Sequence, residues 1–377
     1  MTLIVPDDGS PEPRTHALVI GVGRYRHLPG GGEEVPQALE HVGLLKQLTS
    51  PPHSAIAFAG WLREAGAALR APLGSLDLLV SPAPAQPDVI PADMATAPAT
   101  MANIQRAYNE WRARCDRNED NIAIFYYCGH GAEKAEQYLL AEDFGQNPLN
   151  PWLGAFAFDS TRLAFNASRA KTQCFFVDAC RRLTSGMLVN EPNAMALEVQ
   201  NLLAPECAFN LTMKASAKNE VALGPKRGVS YFTQALLRAF NGAAATQGPR
   251  GWIVETGPLA AHITAIMRLI KASEGFPQRC SSQVTDSTDL LAVQAPRVPV
   301  WLGCRPEQAN PVAKLSCLRR DVVPHPPDEH EGGPWTFEVA PGMYIASASF
   351  AGDEFRPAQA DVIAVPPLQR RELECGQ

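Results

Sequence analysis

The chain has 377 residues, of which 46% are hydrophobic and 19% charged, and its formal net charge is −6 at pH 7. This length predicts about two domains, and this composition supplies enough apolar side chains for a large core. Without a basic excess we expect no nucleic-acid or anionic-membrane partner. No apolar run is long enough to cross a bilayer and the N-terminus lacks the pattern of a signal peptide, which together predict a cytoplasmic protein.

Strands and helices alternate along the first 295 residues. Continuous apolar runs predict five strands, and helical spacing with capping residues predicts three helices. The predicted strands are 16–23, 75–80, 121–128, 172–180 and 207–217. One predicted helix begins after Thr100, and the other two cover 230–240 and 257–272. Because these strands are apolar throughout rather than alternating, helices should cover both faces of a mostly parallel sheet.

The pattern changes after about residue 295. Short apolar stretches at 335–340, 343–350 and 361–365 are separated by Gly, Pro and Asp turns, which is typical of a small all-β domain. The sequence therefore predicts a flexible N-terminus (residues 1–15), an α/β domain (16–295) and a small β-rich C-terminal domain (296–377).

Two reactive side chains follow the ends of predicted strands. His130 stands between two glycines after the third strand, and Cys180 ends the fourth. If these strands are neighbours, both groups lie at the carboxyl edge of the sheet, where an imidazole can take the proton of a thiol. Considered alone, each residue also has a purely structural explanation: His130 could cap a helix, and Cys180 could be a buried core residue. The nine cysteines are odd in number and form no CxxC pair, which argues against a disulfide framework or a zinc site.

Four blocks of the sequence, in order, resemble the caspase-like cysteine peptidases, especially the bacterial relatives of metacaspases and paracaspases. The blocks are HALVIGVGRY (16–25), IFYYCGHG (124–131), CFFVDACRR (174–182) and MKASAKNEVA with GVSYFTQALLRAF (213–240). The resemblance implies a three-layer α/β/α sandwich with Cys180 as nucleophile and His130 as base. It also implies an oxyanion hole formed by the amides of Gly131 and Cys180, a protein or peptide substrate, and an acyl-enzyme. Family members work by regulated limited proteolysis, some in bacterial defence or cell death.

Specificity is expected to depend on Asp178, which stands where caspases proper have glutamine. In metacaspase-like relatives an aspartate there lines the pocket for the residue before the scissile bond, which implies cleavage after Arg or Lys. A carboxylate in that pocket would pair with a guanidinium and repel an acidic side chain. Glu220 is a candidate for a second negative charge. Two alternatives stay open: Asp178 only accepts backbone N–H bonds in a turn, or Arg24 binds an acidic substrate residue instead.

The residues after the nucleophile depart from the His-Ser-Gly of metacaspases. Arg181 and Arg182 lie on a loop that relatives often cut during maturation, so their basic character predicts self-cleavage after one of them. No EF-hand spacing occurs, so no metal or other cofactor is predicted. Several metacaspases depend on calcium, and three acids follow the histidine strand at a plausible distance for that role: Glu142, Asp143 and Asp159.

Two other functions are compatible with this pattern. One is a caspase-fold docking module without turnover, in which the C-terminal domain binds a partner or an activator. The other is a peptidase that stays latent until a second protease cuts the stretch 181–206. The intact Cys/His pair favours an active peptidase over a silent module.

Overall fold

The computed structural model describes residues 2–7, 9–36, 45–94, 96–181, 192–217, 222, 224–225, 227–249, 251–274, 278–320 and 328–376. Its centre is a seven-stranded sheet with five parallel strands in the middle. In spatial order these strands are β3 (Leu73–Ser81), β2 (Thr15–Val22), β4 (Ile122–Gly129), β8 (Thr172–Ala179) and β9 (Phe209–Lys214). All five strands predicted from the sequence are therefore confirmed, with ends shifted by a few residues at most.

The two edges of this sheet are antiparallel strands. β1 (Leu3–Val5) pairs with β3, and β12 (Ser281–Val284) pairs with β9. β1 lies within the N-terminal segment that was expected to be flexible. The hydroxyl of Thr2 donates to Asp77 at 2.9 Å, which fixes this segment to β3. A strand of three residues is too short for a periodic signal, because its pairing depends on an edge supplied by residues far along the chain.

Helices cover both faces of the sheet, as predicted. α1 (Ser50–Ala65), α4 (Tyr231–Arg238) and α5 (Thr256–Glu274) pack into one apolar core with alternate residues of the strands. α2 (Met101–Cys115) and α3 (Phe158–Ala164) pack into a second core on the opposite face. Along β4 the side chains alternate strictly: Tyr126 belongs to the first core and Tyr127 to the second. The result is the three-layer α/β/α sandwich expected from the sequence.

α2 begins where its capping residue predicts. The hydroxyl of Thr100 accepts the backbone N–H of Asn103, and the apolar face of the helix is buried against the sheet. Within the described ranges, no helix combines the length and apolarity that a membrane span requires.

Smaller sheets complete the molecule. The segment after β4 forms a three-stranded sheet of β5 (Gly131–Glu133), β6 (Gln137–Leu140) and β7 (Ala155–Ala157). The segments before and after α5 form another, of β10 (Thr246–Gly248), β11 (Gly251–Glu255) and β13 (Asp289–Val293).

The C-terminal residues form two further sheets around a separate apolar core, so the predicted β-rich character of this part is confirmed. One sheet has the order β17 (Trp335–Val339), β14 (Val298–Arg305) and β20 (Gln369–Glu374); the other has β16 (Asp328–Glu331), β15 (Lys314–Arg319), β18 (Gly342–Ser349) and β19 (Ala358–Ala364).

Candidate active site

The register between β4 and β8 brings the predicted functional residues together. Cys128 is paired with Asp178, and the glycine and alanine that follow them are also paired. His130 and Cys180 are the next residues after these two strands. Side chains two residues apart on a strand project to the same face of the sheet, so His130 follows the direction of Cys128 and Cys180 that of Asp178. His130, Asp178 and Cys180 accordingly line one cavity of about 270 Å³ at the carboxyl ends of the two strands.

Contacts from three segments hold His130 in place. Its backbone N–H donates to the hydroxyl of Tyr25 at 2.6 Å, and the centroids of the two rings are 4.7 Å apart. The hydroxyl of Tyr127 lies 2.9 Å from the His130 carbonyl oxygen. Nε2 lies 2.7 Å from the carbonyl oxygen of Lys46, which can only accept a hydrogen bond. The ring proton is therefore assigned to Nε2, which leaves Nδ1 as the basic nitrogen.

Burial keeps the imidazole neutral. Desolvation lowers the pKa of His130 to about 4, and the Lys46 carbonyl opposes this shift. Near neutral pH the ring is therefore able to accept a proton, which is the state that a general base needs.

Cys180 is one of two half-buried cysteines, whereas the other seven are buried. Burial raises the pKa of its thiol, and the backbone N–H of Ala222, 3.3 Å from Sγ, lowers it. These shifts favour a neutral thiol and a neutral imidazole in the cavity without substrate. No hydrogen bond joins Sγ to the ring in the part of the chain that the structure describes. Such bonds commonly form only when substrate binds.

Gly131 lies directly against the backbone of Cys180. A Cβ at this position would come within 2.8 Å of the Cys180 carbonyl oxygen and 3.0 Å of the Ala179 Cβ. The residue after His130 therefore has to be glycine for the histidine loop to pack this closely against the end of β8.

Asp178 is the acidic group of this cavity and is only 2% exposed. Its Oδ2 accepts hydrogen bonds from the hydroxyl of Ser230, the N-cap residue of α4, and from the hydroxyl of Thr233 at 2.9 Å. Burial raises the pKa of Asp178 to about 6, while the bonds from Ser230 and Thr233 lower it. Its described partners are side-chain groups rather than the backbone amides of a turn.

Two other predicted site residues, Arg24 and Arg181, do not line this cavity. Arg24 lines a separate cavity of about 510 Å³ beside glycines 30–32 and a proline-rich loop. The guanidinium of Arg181 forms an ion pair with Glu133 and donates to the Ser281 hydroxyl at 2.8 Å. Glu220 and Arg182 fall outside the described residues.

The three acids considered for calcium each have protein partners. Glu142 is buried and pairs with Arg26. Asp159 pairs with Lys214, and Asp143 accepts the backbone N–H of Met101. Over the described ranges, no three His, Cys, Asp or Glu side chains are grouped as metal ligands would be.

Sequence reasoning missed three contributors to the site. Tyr25 belongs to the first block of the family resemblance, directly after the first strand, but nothing in its residue type indicates a contact with His130. Lys46 and Ala222 act through backbone atoms, and a backbone carbonyl or amide carries no signal in the sequence.

The family comparison agrees with this architecture. A family model described as a caspase domain matches residues 14–287, a range that includes every residue of the cavity. The uncharacterized protein y4kE of Sinorhizobium fredii (strain NBRC 101917 / NGR234) is 29% identical over 288 residues, which are 71% of this chain and 82% of that protein. Among solved structures, protein GSU0716 from Geobacter sulfurreducens is 15% identical, with a TM-score of 0.43 over 73% of this chain and 94% of that one.

Proposed function

Because the chain belongs to the caspase domain family, whose members are cysteine peptidases, we propose that it is a cysteine endopeptidase that cleaves proteins after Arg or Lys. The observation that carries the proposal is the shared cavity, in which a thiol, an imidazole with a free Nδ1 and a buried carboxylate meet. Each of these groups has a distinct task in peptide hydrolysis.

The proposed reaction begins with proton transfer from Cys180 to Nδ1 of His130 as Sγ attacks the substrate carbonyl carbon. In this scheme the amides of Gly131 and Cys180, two residues that lie against each other, stabilise the oxyanion. The imidazolium then protonates the leaving amine, which departs with the C-terminal part of the substrate. Water hydrolyses the acyl-enzyme and restores the thiol.

Asp178 accounts for the proposed specificity. An arginine or lysine side chain that enters the cavity would form a desolvated ion pair with this carboxylate. An acidic side chain would meet a like charge, and Arg24 lines a different cavity. The role in regulated limited proteolysis is proposed from the family resemblance rather than from this cavity.

A panel of fluorogenic peptides tests this function. The peptides are identical except for Arg, Lys or Asp before the scissile bond. We expect the Arg and Lys peptides to be hydrolysed and the Asp peptide to have a kcat/KM at least about a hundredfold lower. Because the candidate calcium ligands are occupied by protein groups, the rates should be equal in calcium and in chelator. Preferred cleavage of the Asp peptide would support the Arg24 alternative and contradict this proposal.

Gly131→Ala is expected to lower kcat/KM for the Arg peptide about tenfold to a hundredfold. The added methyl group would displace the Cys180 carbonyl or the histidine loop, and small shifts of reacting groups have effects of this size. Gly352→Ala is the matched control, because a Cβ there meets nothing within 4 Å. Equal activity of the two variants would show that the backbone contact at Gly131 is irrelevant to turnover.

Self-cleavage beside the nucleophile is a separate proposal. The Arg181 side chain is engaged by Glu133, so cleavage after Arg181 requires the loss of that ion pair. We therefore expect Arg182 to be the preferred point of cleavage. Intact-mass measurement of the wild-type chain beside Cys180→Ala tests this: two fragments that appear only in the wild type are expected. One uncut mass for both proteins would exclude self-cleavage.

A further inference from the structure

The cavity of about 510 Å³ that contains Arg24 is formed by residues that follow β2 and β3. Besides Arg24, its lining consists of glycines 30–32 and of four residues from the loop after β3: Pro82, Ala83, Pro84 and Pro87. The backbone N–H of Arg24 donates to the carbonyl oxygen of Ser81, the last residue of β3, at 3.0 Å. This Arg24 cavity therefore lies at the carboxyl ends of β2 and β3, on the same edge of the sheet as the catalytic cavity.

The Arg24 cavity and the catalytic cavity are neighbours along this edge. β2 is hydrogen-bonded to β4, and Gly21 of β2 pairs with Cys128 of β4. Tyr25, the residue after Arg24, packs its ring against the His130 imidazole, with 4.7 Å between the two centroids. A peptide that passes His130 in the direction of β2 would therefore reach the Arg24 cavity.

Arg24 brings a positive charge to this cavity. It is half-buried, and no other ionisable side chain lines the cavity within the described ranges. Its guanidinium donates to the Gly31 carbonyl oxygen over 3.4 Å, which is long for a hydrogen bond, and no described carboxylate forms an ion pair with it. A guanidinium with this single weak contact keeps N–H donors for a carboxylate, the acceptor that matches its geometry.

The acids of the surrounding loops do not occupy this charge. The Glu34 carboxylate accepts a backbone N–H of the glycine loop at 2.8 Å. Glu142 is buried in an ion pair with Arg26. Two further acids are exposed, so that water screens their charges: Glu33 and Asp88. Because none of these four lines the cavity, a carboxylate that enters it meets the charge of Arg24 at the shortest range.

The walls of the Arg24 cavity suit a peptide better than an isolated ion. Three proline rings and an alanine make part of the wall apolar. Glycines 30–32 contribute backbone alone, and a Cβ on Gly31 would come within 2.1 Å of the Tyr25 carbonyl oxygen. A peptide backbone can approach such glycines closely, while apolar side chains beside an acid would cover the prolines. The volume also falls in the range of about 300–1,000 Å³ that is usual for ligand pockets.

The proposed reaction determines which part of a substrate would reach this cavity. His130 protonates the leaving amine, so the substrate segment after the scissile bond has to pass His130. The strand order β8, β4, β2, β3 then leads from Cys180 past His130 to the Arg24 cavity. Neighbouring strands lie about 4.8 Å apart and an extended peptide rises about 3.3 Å per residue, so the distance of about 12 Å corresponds to about four residues.

We propose that the Arg24 cavity binds an acidic side chain at the third or fourth position after the scissile bond. The carboxylate accepts hydrogen bonds from the Arg24 guanidinium, and apolar residues beside it contact the prolines of the cavity. This inference rests on the proposed peptidase function and adds a second requirement to it. The preferred substrate has a basic residue before the scissile bond and an acidic residue shortly after it.

Three internally quenched peptides, each with Arg before the scissile bond, test this site on the full chain. The first has Asp at the third and fourth positions after the bond, the second has Asn there, and the third has Asp at the third and fourth positions before the bond and Asn after it. We expect kcat/KM to be about tenfold higher for the first peptide than for the other two. Hydrolysis of none would contradict the proposed function, whereas equal hydrolysis of all three would contradict this inference alone.

Arg24→Gln should reduce the ratio of kcat/KM between the first and second peptides to about one, and Arg24→Lys should retain a preference for Asp because it keeps the charge. Arg106→Gln is the matched control, because Arg106 is exposed on α2 and donates to Asn103 of the same helix. It should leave the ratio unchanged. Thermal melting establishes that each variant is folded. If Arg24→Gln does not fold, Pro84→Glu, which adds a carboxylate at an exposed position of the cavity, should lower the ratio instead.

Binding to the Cys180→Ala chain measures the same site without turnover, and so decides the proposal even if no peptide is hydrolysed. In calorimetric titrations we expect the first peptide to bind about tenfold more tightly than the second, and Arg24→Gln to abolish the difference. Equal affinities, a preference for Asp that survives Arg24→Gln, or an equal gain from Asp before the scissile bond would overturn the proposal.

Discussion

Cys180→Ala is expected to lower kcat/KM for the Arg peptide by at least about four decades, with no loss of folded structure. The sulfur is half-buried, lines the cavity and forms its described hydrogen bonds with the Ala222 backbone alone, so its removal leaves no buried charge unpaired. Loss of the nucleophile removes covalent catalysis entirely and costs up to about six decades in hydrolases. Steady-state hydrolysis and thermal melting measure the two effects separately.

Cys280→Ala is the matched control for this substitution. Cys280 is the other half-buried cysteine; its Sγ lies 3.7 Å from the Ala215 carbonyl oxygen, and Cys280 does not line the cavity of Cys180. We expect this variant and the wild type to be equally active, and each to be alkylated once by an arginyl chloromethyl ketone. Cys180→Ala should resist that reagent. Substantial turnover by Cys180→Ala would remove the basis of a thiol mechanism.

The proximity of the thiol and the imidazole could be predicted because it depends on strand order. Two continuous apolar runs each end in a reactive residue, and parallel neighbours bring their carboxyl ends to one edge. The structure adds the register between β4 and β8. It pairs Gly129 with Ala179, so that His130 and Cys180, the next residues after the two strands, follow side by side. Periodicity cannot supply a register, because a buried parallel strand is apolar at every position.

The electrostatic state of the site could not be predicted, because it depends on groups distant in sequence. The Lys46 carbonyl determines which nitrogen of His130 carries the proton. The hydroxyls of Ser230 and Thr233, more than 50 residues after Asp178, hold its carboxylate at the start of α4. The family resemblance assigned a role to Asp178, but its depth and its hydroxyl partners follow only from the packing of α4 against β8.

The ion pair between Arg181 and Glu133 is a further contact that could not be predicted from the sequence. Two adjacent arginines look equivalent in the sequence, and both were candidates for self-cleavage. Of the two, the structure describes only Arg181, whose guanidinium also donates to the Ser216 carbonyl oxygen at 3.2 Å and so lies across the ends of β8 and β9. We therefore expect Arg181 to stabilise the turn after β8 rather than to be the point of self-cleavage.

Asp178→Asn is expected to lower kcat/KM for the Arg peptide by about two to three and a half decades. Removing one charge of a desolvated ion pair costs about 3–5 kcal/mol, because the other charge is left buried without a partner. Asparagine keeps the size of the side chain, and its Oδ1 can still accept from the hydroxyls of Ser230 and Thr233. The fold should therefore survive.

A substrate with citrulline in place of arginine is the matched control for Asp178→Asn. Citrulline has nearly the same shape but no charge, so its kcat/KM should change by less than about tenfold in the variant. The difference between the two substrates then isolates the charge interaction. An Asp178→Asn enzyme that still prefers arginine to citrulline by the wild-type factor would show that the cation is recognised elsewhere.

The pH dependence provides a second measurement of the same carboxylate. The pKa of Asp178 is raised to about 6, so the group is charged above that pH and neutral below it. Only the charged form attracts an arginine side chain, and kcat/KM for the Arg peptide should therefore fall as the pH drops through about 6. His130, with a pKa of about 4, stays neutral and competent over that range. The fall in kcat/KM near pH 6 should be absent for the citrulline peptide and in Asp178→Asn. Only the fall near pH 4, from protonation of His130, should then remain. If the fall near pH 6 persists in Asp178→Asn, a group other than Asp178 causes it.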